Sequence, residues 1–146
     1  MKTRLEWIGG VAWSATSDSE HQIIIDGSQR IGGENRGARP MELVVKALCG
    51  CSAMDLVSIL KKQRQTFESI EINADAKRSD ATPAVFESIH MSFEFVGATL
   101  NHQRVMRAVS LSVEKYCSVA EMLSSTVKIT YSVRVNSATV DSTIAV

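Results

Sequence analysis

The segment that most restricts this chain is the apolar run Met41-Glu-Leu-Val-Val-Lys-Ala-Leu-Cys-Gly-Cys-Ser-Ala-Met-Asp-Leu-Val-Ser-Ile-Leu. Leu43, Val44, Ala47, Leu48, Cys51, Met54, Val57 and Leu60 recur at three- and four-residue steps, the repeat of an α-helix. Other apolar residues fill the rest of the wheel, and a helix apolar nearly all round belongs in an interior. The spacing therefore predicts a long, buried central helix from Met41 to about Gln63. Pro40 suits its first turn. The preceding loop, Ile31 to Pro40, holds Gly32, Gly33 and Gly37, which permit tight turns.

A length of 146 residues suits one ordinary domain, and 45% hydrophobic residues suffice for a core. Lysine plus arginine and aspartate plus glutamate each total 16, so the formal net charge is zero. With no basic excess to hold phosphates, nucleic acid is not the expected partner. Weak self-repulsion permits self-association. Met41 to Leu60 is interrupted by Glu42, Lys46 and Asp55, short of the roughly 18 uninterrupted apolar residues of a membrane span. The first residues, Met1-Lys-Thr-Arg-Leu-Glu-Trp, have a charged start without the apolar stretch of a signal peptide. The expectation is a cytoplasmic protein with no membrane partner, whose thiols are kept reduced. Three cysteines, an odd number, fit catalytic or inert thiols better than a disulfide framework.

Strand patterns flank the helix. Leu5 to Ala15 reads as one strand with a weak point at Gly9-Gly10. Ser17-Asp18-Ser19 reads as a turn and His21 to Asp26 as a second strand. Ile70, Ile72, Ala74 and Ala76 alternate with polar residues, as do Ile89, Met91, Phe93 and Phe95, and as do Val127, Ile129, Tyr131, Val133 and Val135. Asp80 to Pro83 makes a hairpin connection. Asn101 can cap a helix whose Val105, Val109, Val113 and Tyr116 share a face, and a short helix from Ser118 to Leu123 follows. The order is β-β-α-β-β-α-α-β. One-sided polarity of every strand predicts an α+β fold with an antiparallel or mixed sheet and helices on one side.

The residues able to carry chemistry are the thiols. Buried cysteines are most often inert small hydrophobes. The alternative is that Cys51, in the central helix, meets Cys117, at the end of the run Val113-Glu-Lys-Tyr-Cys, and that the two cycle between dithiol and disulfide without a cofactor. Cys49 and Cys51 lie about 200° apart around a helix, so at most one of them faces a given partner. Neither Cys-x-Cys nor the scattered His21, His90 and His102 has the spacing of a zinc site. A reactive thiol needs a cationic neighbour. The nearest in sequence are Arg36 and Arg39, each otherwise an ordinary loop arginine. Asp55 lies one turn beyond Cys51, where a carboxylate can orient an arginine or a hydroperoxide, or be a plain helix-edge charge.

These residues resemble a known family. Arg39-Pro-Met-Glu-Leu through Ala-Leu-Cys-Gly-Cys-Ser-Ala is similar to the central helix of the OsmC/Ohr proteins, named for osmotic induction and organic hydroperoxide resistance. Glu114-Lys-Tyr-Cys-Ser-Val-Ala is similar to their second motif, and the branch resembled is the YhfA-like one. The resemblance implies a single OsmC-like domain over residues 1–135, a C-terminal tail over 136–146, and an intertwined homodimer. It implies a cysteine-based peroxidase of stress response that reduces organic hydroperoxides or hydrogen peroxide. Cys51 is then the peroxidatic thiol and Cys117 the resolving thiol. The pair is reset by an external dithiol of lipoyl or thioredoxin type, with no bound cofactor or metal. Arg39, Arg36, Glu42 and Asp55 are candidates for activating or orienting the pair. Where the family carries Glu after the motif proline, this chain has Met41, with Glu42 one residue later. Ser118 stands where proline is usual. The same fold can also serve as a non-catalytic or redox-sensing protein that binds an apolar ligand such as an acyl chain.

Overall fold

A computed structural model describes residues 1–145. They group into two compact units, Met1–Lys46 and the described residues from Ala47 onward, with the boundary inside the long helix.

The first unit carries a three-stranded antiparallel sheet of order β1(Thr3–Trp7), β2(Trp13–Ser17), β3(Gln22–Ile25). The single strand expected from Leu5 to Ala15 is thus a hairpin. Gly9 and Gly10 take φ of 103° and 56°, which reverse the chain. The Ala12 N–H donates to Gly9 O at 3.0 Å, and the Trp7 indole N–H to Gly10 O at 2.9 Å. Register pairs Trp7 with Trp13, Leu5 with Ala15, and Ala15 with Ile23, so these residues share one face. Most of that face is open: Trp7 is 65% exposed, and Leu5, Trp13 and Ile23 are exposed as well.

Asp26 organises the loop that follows. Its buried carboxylate accepts the backbone N–H groups of Gly27 at 2.7 Å, Glu34 at 3.0 Å and Arg36 at 2.9 Å. The Arg36 N–H is the main cause that lowers its pKa, against the opposing effect of burial. A carboxylate whose folded-state pKa is depressed stabilises the fold above its unfolded value of about 3.9, and that contribution is lost as pH falls through the folded value. Asp26→Asn should therefore lower the melting temperature at neutral pH, and the gap to wild type should close in acid. Thermal unfolding across pH measures this. A gap unchanged with pH would remove the carboxylate from the account.

The helix α1(Pro40–Lys62) begins in the first unit and runs into the second. The second unit continues with β4(Ser69–Arg78), β5(Phe86–Val96), α2(His102–Leu111), α3(Ser118–Ser124), β6(Lys128–Val135) and β7(Ala138–Ala145). The sheet order is β4-β5-β6-β7, with β5 and β6 parallel and the other pairs antiparallel, the mixed α+β arrangement expected. The alternation in β5 and β6 does what the pattern predicts. Ile89, Met91, Phe93, Phe95, Ile129, Tyr131 and Val133 form the core, and Val105, Ala108 and Val109 of α2 are buried with them. Asn101 caps α2 through its side-chain oxygen, which accepts the Arg104 N–H at 3.1 Å.

Three further features depart from the sequence reading. The segment read as a tail from Asn136 forms a strand: Asn136 and Ser137 take φ of 50° and 63°, the paired left-handed geometry of a two-residue hairpin, and β7 returns along β6. Val146, the last residue of that segment, lies outside the described residues. Tyr116 does not share the buried face of Val105, Val109 and Val113 but is exposed. Five residues, Ser112–Tyr116, form one π-helical turn that shifts the phase of the face. Finally, α1 is not buried all round. Only the stripe Leu48, Ser52, Leu56 and Leu60, at four-residue steps, is fully buried, and Met54 is 77% exposed. By length and composition α1 would suffice to cross a membrane. Its buried stripe is instead that of a core helix whose other apolar positions a single chain leaves uncovered.

Candidate active site

The π-turn places the second thiol. The Cys117 N–H donates to Ser112 O at 2.8 Å, an i→i−5 bond, and Cys117 itself is extended, with φ −71° and ψ 102°. The chain thereby breaks between α2 and α3, and the Cys117 side chain caps α3: its Sγ accepts the Ala120 N–H at 3.4 Å. On the other side the thiol points at Leu48 O of α1, 3.8 Å away. The same turn is tied to α1 by Ser112, whose hydroxyl donates to Ser52 O at 2.7 Å. It is tied to the sheet by Glu114, whose carboxylate accepts the Tyr131 hydroxyl at 2.5 Å.

The bonds to Leu48 O and Ser52 O seat the turn against the stretch of α1 that carries Cys51, which puts Cys117 and Cys51 on the same part of the fold. All three cysteines are free thiols; Cys117 is buried, at 2% exposure, and Cys51 is half-buried. Burial is the first cause that pushes the Cys117 pKa up, and the neighbouring Cys51 adds to it. The Ser52 hydroxyl and the Ala120 N–H oppose both. Cys117 therefore rests as a thiol, and a half-exposed partner beside it is the group a solute reaches first.

Cys49 lies on another side of α1. With Gly50, Ala53 and Val57 it lines an open apolar groove of about 380 Å³ whose far wall is Ile70 and Ile72 of β4. Burial, then the charge of Cys117, raises its pKa.

The remaining candidates are placed as follows. Arg39 and Glu42 are bound to each other at the start of α1. Arg39 O accepts the Leu43 N–H at 3.1 Å, making Arg39 the cap, and Glu42 reaches back to the Arg39 N–H at 3.1 Å. That is the reciprocal half of a capping box, with an ion pair of 3.5 Å between the side chains. Arg36 donates from its guanidinium to Ile8 O at 3.2 Å. Asp55 is half-buried and makes no ion pair among the described residues. His90 is held by hydroxyls of β6, with Thr130 at 2.8 Å and Ser132 at 3.1 Å, in the role of a sheet residue. No group of histidine, cysteine and carboxylate side chains suited to a metal ion occurs among the described residues.

An OsmC-like protein family model matches residues 33–132. Protein YhfA of Escherichia coli K12 is 42% identical over 135 residues, which is 92% of this chain and 98% of that protein. The chain belongs to the OsmC family. A hypothetical protein from Aquifex aeolicus VF5 has the same OsmC-type fold, with a TM-score of 0.77 and 31% identity over 92% of this chain and 96% of its own. An organic hydroperoxide resistance protein OsmC from Legionella pneumophila shares the fold at a TM-score of 0.67. It is 14% identical, over 92% of this chain and 96% of its own.

Reading the sequence for OsmC motifs singles out both thiols but not the serines around Cys117. Ser52 directly follows Cys51, and Ser112 is five residues before Cys117. Neither position carries a signal by itself, because serine is common and the π-turn that makes Ser112 a neighbour has no sequence signature. Glu42 does carry one: a glutamate three residues after the residue before Pro40 is the spacing of a helix cap.

Proposed function

We propose that this OsmC-family protein is a thiol-dependent hydroperoxide reductase acting through Cys51 and Cys117, and that the observation carrying this reading is the seating of Cys117 against the stretch of α1 that holds Cys51. The Cys51 thiolate attacks the peroxide O–O bond, giving a Cys51 sulfenic acid and an alkoxide (hydroxide from hydrogen peroxide), which takes up a proton and leaves as the alcohol or water. The Cys117 thiol condenses with the sulfenic acid to a disulfide and water. An external dithiol, of lipoyl or thioredoxin type, returns two electrons and two protons, so no bound cofactor is required. The likeness in fold to proteins named for organic hydroperoxide resistance is consistent with this chemistry. A cytoplasmic setting would keep the resting thiols reduced. The test is peroxide consumption by purified protein with dihydrolipoamide as reductant. Turnover of cumene hydroperoxide or hydrogen peroxide supports the reading, and consumption no faster than by free cysteine refutes it.

The working form in this proposal is a homodimer. The first unit leaves Leu5, Trp7, Trp13 and Ile23 open on one sheet face, and α1 leaves Met54 open. The open apolar face of that sheet, taken by itself, marks an interaction site. Sedimentation at micromolar concentration should give twice the chain mass, and a monomer would contradict the assignment.

A second reading, an apolar-ligand protein, draws support from the groove between α1 and β4. A copurifying acyl chain seen by native mass spectrometry, together with inertness to peroxide, would favour it.

A further inference from the structure

Ser52 stands out among the polar groups of the second unit. It is fully buried, and its hydroxyl oxygen has no hydrogen-bond partner. Its backbone carbonyl is taken by the Ser112 hydroxyl at 2.7 Å, so Ser112 does not serve the side chain. Leaving a buried hydroxyl unpaired costs about 1–3 kcal/mol in general terms. Alanine at this position would avoid that cost. Cys117 Sγ lies 3.8 Å from Leu48 O, the carbonyl one helical turn before Ser52 on the same buried stripe, and Ser112 of the same turn binds Ser52 O, so the sulfur and the Ser52 side chain occupy one stretch of the α1 surface, where the hydroxyl favours the thiolate.

The resting thiol and the thiolate ask opposite things of their surroundings. As a thiol, Cys117 donates toward Leu48 O at 3.8 Å. As a thiolate it has no proton to offer that carbonyl and needs donors instead. At 2% exposure it cannot draw them from bulk water. The protein provides two: the Ala120 N–H at 3.4 Å, and the Ser52 hydroxyl that has nothing else to bind.

We infer that Ser52 is a positioning residue that receives the Cys117 thiolate as it leaves the Cys51–Cys117 disulfide, and that it is kept at the expense of resting-state stability. The inference rests on the cysteine pair of the proposed function. When a dithiol reductant attacks the Cys51 sulfur, a mixed disulfide forms there and the Cys51–Cys117 bond breaks. Its electron pair goes to the Cys117 sulfur. Exchange is faster when the leaving thiol has a lower pKa, and a hydroxyl turned onto that sulfur lowers it. The second reductant thiol then releases Cys51, and Cys117 regains a proton and turns back to Leu48 O.

The experiment uses full-length Cys49→Ser protein, so that Cys51 and Cys117 are the only thiols, oxidised with diamide rather than peroxide. Adding Ser52→Ala should slow reduction by dithiothreitol roughly tenfold or more, the scale of a hydrogen bond to a charged group. It should also raise the melting temperature of the reduced protein, because the unpaired hydroxyl is gone. Ser52→Thr, which restores the hydroxyl, should recover the reduction rate. In the Cys49→Ser, Cys51→Ser background, the ultraviolet thiolate signal of Cys117 should titrate at higher pH once Ser52 is Ala. Unchanged reduction kinetics, or an unchanged Cys117 titration, would overturn the inference. Because diamide replaces peroxide, a protein inert to peroxide fails the proposed function without altering this readout.

Discussion

Cys51→Ser should abolish the fast reaction with hydroperoxide, with a fall of at least about 10³-fold in the second-order rate, the scale of removing a nucleophile. A serine hydroxyl is not ionised near neutral pH and does not attack a peroxide oxygen. The other two thiols do not replace it. Cys117 is 2% exposed, and burial pushes its pKa up, so little thiolate is present and little peroxide reaches it. Cys49 is also raised, first by burial, and lies in the α1–β4 groove. Competition against a reporter peroxidase measures the rate. A variant within tenfold of wild type would place the nucleophile elsewhere.

Cys117→Ser should have the opposite signature. The first oxidation keeps its rate, because Cys51 is untouched, but catalytic turnover with a dithiol falls away. The Cys51 sulfenic acid has no thiol to condense with. Cys49 cannot stand in, since it projects about 200° away around the helix. Under excess peroxide Cys51 should pass to sulfinic and sulfonic acid, seen as added oxygen on its tryptic peptide. Wild-type protein under the same conditions should carry the disulfide instead. A Cys117→Ser protein whose mass is unchanged after peroxide would argue that Cys51 is an inert core thiol.

These two variants are legible from sequence because both thiols sit in motifs that extend over whole helices. Periodicity carried the larger architecture for a similar reason. The strict alternation through Ile89, Met91, Phe93 and Phe95 leaves one way to bury β5, and the register with β6 follows. Local backbone geometry was harder to read. Gly9-Gly10 looked like a weakness within one strand, whereas two positive φ values turn it into a hairpin. Asn136-Ser137 does the same before β7 without the glycine that usually marks such turns. The apolar pattern of α1 reads only in part from one chain. A sequence gives which residues avoid water but not which chain covers them, and one chain covers only the Leu48 to Leu60 stripe.

The site shows the same division. Cysteine identity and spacing point to Cys51 and Cys117, but the π-turn that brings Cys117 to α1 has no composition cue. Single-residue π-type insertions of this sort occur often at functional sites. Here the turn does identifiable work, since its Ser112 binds α1 and its Glu114 binds β6. The carboxylate of Glu42 gains a partner that spacing alone does not assign: it caps α1 together with Arg39.

The most direct measurement is rapid-mixing oxidation of fully reduced protein with cumene hydroperoxide and with hydrogen peroxide, quenched in acid and mapped by non-reducing mass spectrometry. The account predicts fast oxidation that ends in a Cys51–Cys117 disulfide, with the faster oxidant marking the substrate class. Oxidation no faster than that of a free thiol, or a first disulfide that includes Cys49, would contradict it.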